Sequence, residues 1–71
     1  MNIKSIQQQA VKMSEQYMQG IFKIPENLPY TAEEFVLLGK LADLYFCFKR
    51  GEISRNETIK EQSRLLKAVR S

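Results

Sequence analysis

An all-α fold is predicted for this chain of 71 residues: a small three-helix bundle with a proline-containing extended connector between its first and second helices. Three observations predict it. Apolar residues recur at spacings of three and four in three separate stretches, the period of one helix face. Two stretches open on Ser/Thr-x-x-Glu and two are followed by glycine, which are helix start and stop signals. No stretch reads as a strand in competition with these.

The first helix is predicted over about residues 3–19. Ile3, Ile6, Ala10, Met13 and Tyr17 form one stripe, and Val11 and Met18, seven apart beside it, are expected to widen it. Asn2 is placed to cap its start, and Gly20 to end it in a left-handed conformation. Gln8, Lys12, Glu15 and Gln19 make the wet face. Pro25 and Pro29 then push residues 21–30 into extended backbone. Ile21, Phe22, Ile24, Leu28 and Tyr30 are too apolar for a free linker and are expected to lie over the core as a lid.

The second helix is predicted over about residues 32–50. Thr31 and Glu34 form a capping box, and Tyr30 faces Phe35 as a hydrophobic staple. Glu33 and Glu34 at one end, and Lys49 and Arg50 at the other, complement the helix dipole. Gly51 ends it. The third helix is predicted over about residues 55–70, under a second box from Ser54 and Glu57 with Ile53 facing Thr58. Ile59, Gln62, Leu66 and Val69 form its stripe, with Leu65 and Ala68 alongside.

At this length residues 1–71 form a single domain that buries little surface. Burial at about 25 cal/mol per Å² barely offsets roughly 1.5 kcal/mol of ordering entropy per residue. Cys47 is the lone cysteine and histidine is absent, so an internal disulfide and a zinc site are excluded and no metal or cofactor is expected. Good packing and self-association remain as sources of stability. A lone cysteine suggests a reducing compartment. The polar start does not read as a signal peptide, and no apolar run is long enough to span a bilayer. A soluble cytoplasmic protein is the expectation. With no histidine base, no glycine-rich phosphate loop and no paired catalytic set, the residues do not equip an enzyme.

The second helix carries two apolar lanes: Phe35, Leu38, Ala42, Tyr45 and Phe46, and Leu37, Leu41, Leu44 and Phe48. Val36, Lys40, Asp43, Cys47 and Arg50 make the wet strip between them. A helix with one buried face shows a stripe about 100° wide, and this one approaches twice that. Two accounts cover the surplus. Helix two is the central element, buried by helix one on one side and helix three on the other. Or the second lane docks on another chain, with Leu37, Leu44 and Phe48 as contacts and Lys40 and Arg50 at the rim. A second copy is the natural candidate, since symmetric dimers dominate oligomers. Gly39 favours close approach of another backbone.

Charge supplies the alternative. The chain has net charge +3. Residues 1–48 are close to neutral, whereas residues 49–71 set seven cations against Glu52, Glu57 and Glu61. A nucleic-acid contact would draw on Lys49, Arg50, Arg55, Lys60, Arg64 and Lys67. It ranks second because the cations of helix three are expected to spread around it, with carboxylates between them.

Leu41-x-x-Leu44, then Gly51-Glu52-Ile53-Ser54-Arg55-Asn56-Glu57, then Leu65-Leu66 resembles the short helical hairpin of the SHOCT-like pattern. The resemblance covers about residues 41–69 and implies an oligomerisation or docking element. Thr58 stands where that pattern often has an aromatic. In size, single-domain build and lack of histidine the chain is also similar to small accessory proteins of bacteriophages and mobile elements, anti-CRISPR proteins among them. That similarity implies an inhibitor that binds a host defence protein. The basic charge argues against mimicry of nucleic acid and for steric blocking.

Overall fold

The computed structural model describes residues 2–23 and 28–70. Its elements are α1 (Ile3–Met18), α2 (Ala32–Lys49) and α3 (Arg55–Arg70), and no strand occurs among the described residues. The predicted starts hold, and the first two helices end one residue earlier than expected.

Local chemistry explains each boundary. Asn2 Oδ1 accepts from the Ser5 N–H at 3.1 Å. Thr31 Oγ1 accepts from the Glu34 N–H at 3.2 Å while Glu34 Oε1 accepts from the Thr31 N–H at 2.8 Å, a closed capping box. The Thr31 backbone N–H first, and the Thr31 hydroxyl second, hold the Glu34 carboxyl below its ordinary pKa. The second box differs from the expectation. Ser54 Oγ accepts from the Glu57 N–H at 3.1 Å, but the Glu57 carboxylate takes the Ser54 hydroxyl at 3.3 Å rather than its backbone N–H. Both α1 and α2 end in Schellman motifs. The N–H groups of Ile21 and Glu52 reach back to the carbonyls of Gln16 and Cys47, with Gly20 and Gly51 at φ 82° and 75°.

α1 and α2 run in the same direction. Near their starts the hydroxyls of Ser5 and Tyr30 share a hydrogen bond of 2.7 Å. Near their ends Tyr17 packs edge-on against Phe46 at 5.6 Å, and Lys49 lies 3.9 Å from Glu15. A parallel pair needs a connection as long as the helices. At about 3.3 Å per extended residue, residues 19–31 exceed the length of α2, which has 18 residues at about 1.5 Å each. The connector also packs where it is described. Phe22 stacks on Tyr17 at 5.1 Å, Tyr30 meets Phe35 at 5.9 Å, and Leu28 touches the core. Ile24 and Pro25, assigned to this lid by sequence, lie outside the described residues. Phe22 is a loose lid, because 66 % of it stays exposed.

The core is an α1–α2 seam of Ile6, Ala10, Met13, Leu37, Leu38, Leu41 and Ala42. Ser14 is fully buried within it and satisfies its hydroxyl on the Val11 carbonyl at 2.7 Å. The small side chains of Ala10, Ser14 and Ala42 permit close helix approach. α3 runs antiparallel to α2 and packs on it through half-buried Gln62, Leu65, Leu66 and Val69. α2 is therefore central, flanked by α1 and α3, which scarcely touch each other. The molecule is flat, 30 × 28 × 15 Å.

Two stripes needed correction. Val11 and Met18 do not widen the α1 core face; they are 40 % and 50 % exposed. Ile59 is also half exposed. The inward stripe of α3 keeps the predicted Gln62, Leu65, Leu66 and Val69, but opens on Thr58 in place of Ile59, and Ala68 lies outside it. At Gly39 a Cβ would meet open space, so nothing among the described residues uses the close approach that a glycine allows. Gly39→Ala is therefore expected to stabilise the chain by about 0.5–1 kcal/mol, read as a rise in the urea midpoint at unchanged slope.

Candidate functional site

While Met18, Ile21, Phe22 and Val36 are exposed elsewhere, three exposed large apolar side chains, Val11, Phe48 and Ile59, meet between α1 and α3 over the C-terminal half of α2. There an open groove of about 340 Å³ is lined by Val11 of α1, Tyr45, Phe48 and Lys49 of α2, and Arg55, Thr58 and Ile59 of α3. Val11, Phe48 and Ile59 are 40–50 % exposed, while Lys49 and Arg55 are exposed cations.

Each wall residue is placed by helix geometry. Tyr45 stands between the flanking helices. Its hydroxyl donates to Gln62 Oε1 of α3 at 2.5 Å, and burial pushes the phenol above its ordinary pKa against a hydrogen bond with Gln7 of α1. Thr58 turns its hydroxyl back to the Ser54 carbonyl at 2.8 Å. The uncharged polar side chains of the groove wall are thus already engaged, which leaves apolar surface and the two cations. Arg55 is the first residue of α3, set there by the Ser54 cap and the turn at Gly51. Among the described residues no carboxylate stands within ion-pair distance of it.

The sequence-derived docking set does not come together. Leu37 is 2 % exposed and belongs to the core, because its lane faces a neighbouring helix of the same chain. Leu44 is half-buried and packs against that core, so Leu44→Glu tests the core rather than a surface contact. Phe48 does line the groove. Lys40 lies in a separate shallow depression with Glu33, Val36 and the end of α3. Arg50 stacks on Phe46 at 5.2 Å and pairs with Glu52 at 3.2 Å, around the corner from the groove. Val11, Tyr45, Thr58 and Ile59 were missed. The available signal was the rival α3 stripe headed by Thr58, which turns Ile59 outward.

The basic residues divide into two groups. Lys49 and Arg55 rim the groove. Lys60, Arg64 and Lys67, at i, i+4 and i+7, share one shallow strip on α3, while Arg55 faces the groove, so the cations of α3 are spread less widely than expected. Glu61 sits in that strip and holds Arg64 at 2.6 Å. Among the described residues no cluster of His, Cys, Asp or Glu could hold a metal ion, and no helix is long and apolar enough to cross a membrane.

Fold and groove together define a small all-α protein with an apolar, cation-rimmed cleft between two helices. Comparison with known proteins finds no matching family model, no matching curated protein and no matching solved structure.

Proposed function

We propose that this chain works by binding another protein, without catalysis, and that the groove between α1 and α3 is its docking surface. The observation that carries the reading is the gathering of Val11, Phe48 and Ile59, large apolar side chains left 40–50 % exposed, around one cleft. Contiguous exposed apolar surface with a polar rim marks interaction sites. The hairpin resemblance of residues 41–69 supports a docking role, and blocking of a host defence protein is one use of such a surface.

The test compares capture from a lysate of the source cells by the wild-type chain, by Ile59→Glu and by Val36→Glu. Val36 is 58 % exposed and lies outside the groove. A partner retained by Val36→Glu and lost with Ile59→Glu is expected. Partners lost equally from both variants, or from neither, would overturn the assignment. Light scattering on the same samples decides the homodimer: a doubled mass abolished only by Ile59→Glu would make a second copy the occupant. Binding to duplex DNA that falls steeply with salt and depends on Lys60 and Lys67 would give the working surface to the α3 strip instead.

A further inference from the structure

We infer that the groove's occupant is an amphipathic helix whose apolar stripe is flanked by acidic residues. The inference rests on the docking reading above and names the partner's chemistry.

Backbone hydrogen bonding selects a helix. An extended peptide bound edge-on needs unpaired donors and acceptors on its receptor. Here the walls are helices with internally bonded backbones, and the two uncharged polar side chains at the groove, Tyr45 and Thr58, are bonded to Gln62 and Ser54. Against such a surface a strand would leave its own N–H and C=O groups unmet. A helix brings its backbone already satisfied and offers only side chains. The architecture also fits one. α1 and α3 both rest on α2 and diverge from each other, so a fourth rod laid in their cleft contacts both and completes a four-helix arrangement.

Charge selects the flanks. Lys49 and Arg55 stand at the rim. The ion pair of Lys49 with Glu15 is at 3.9 Å, the outer limit of contact, and both side chains are partly exposed. Arg55 has no carboxylate within ion-pair distance among the described residues. A helix with Asp or Glu beside its apolar stripe would meet both cations. A second copy seated face to face on this patch would bring a lining with the same two cations and no carboxylate, so it would offer those cations no partner.

The probe is a display library of helical peptides as long as α2 (18 residues), with leucines fixed at i, i+4, i+7 and i+11 and the flanking positions randomised. Selection on the full chain is expected to enrich Asp and Glu beside the leucine stripe. Enriched peptides should bind on the order of tenfold more weakly to Arg55→Glu, and regain affinity when their acidic flanks are exchanged for lysine. Their binding should shift the methyl NMR signals of Val11 and Ile59. Peptides with neutral or basic flanks that still depend on Ile59 would overturn the acidic partner and leave the docking surface standing. Peptides whose binding ignores both Ile59→Glu and Val11→Glu would overturn the docking surface itself. A chain that is already a dimer through the groove, released by Ile59→Glu, would also overturn the inference.

Discussion

Leu41→Ala is expected to lower the stability of this chain by about 3 kcal/mol, within the range for buried leucines that leave a cavity. Leu41 is fully buried at the middle of α2, among Leu37, Leu38 and the α1 face of Ile6, Ala10 and Met13. Both helices are held by their caps and by each other, so neither can easily fold into the void. A chain of 71 residues has a total stability of roughly 4–10 kcal/mol. One truncation thus removes a third or more of it. Urea unfolding followed by circular dichroism should show the midpoint falling with an unchanged slope. Ile59→Ala is the reference, because a half-exposed side chain should cost below about 1 kcal/mol. A loss at Leu41 no larger than at Ile59 would mean that the core is not centred on the α1–α2 seam.

The importance of that seam was only partly visible in the chain. Helix positions were legible because they depend on local chemistry: the Thr31–Glu34 box, the Tyr30–Phe35 contact and the glycines at 20 and 51 act within a few residues. The central place of α2 was also legible, since its apolar circumference exceeds one face. What remained hidden depends on tertiary placement. Periodicity states which residues share a face, not which neighbour covers it. Val11 and Ile59 have the same apolar character as core residues, and only the gap between α1 and α3 leaves them outside. Ser14 presents the reverse case. A serine reads as surface, yet it is fully buried because its hydroxyl is satisfied on its own helix. The common direction of α1 and α2 has no local signal; it follows from how far residues 19–31 can reach.

The groove inherits this difference between pattern and placement, and a pair of substitutions measures it. Leu37→Glu should leave no folded chain. Leu37 is 2 % exposed, so the new carboxylate would be buried without a partner, a change that typically costs above about 4 kcal/mol. That is comparable with the whole stability of a chain this short, and the helical circular dichroism signal should collapse. Ile59→Glu makes the same kind of change at a residue 50 % exposed. There the carboxylate stays in water beside the cations of the rim, and the thermal midpoint should move by less than about 4 °C. Sequence pattern alone treats the two positions alike, as apolar members of helical stripes. Their expected separation follows from the packing of α1 and α3 on α2, which encloses Leu37 and leaves Ile59 at the cleft. If Leu37→Glu kept its helical signal and melting midpoint, Leu37 would be a surface residue after all and the docking face would return to the second lane of α2. If Ile59→Glu unfolded the chain, the groove would be closed in solution and the apolar patch would belong to the core.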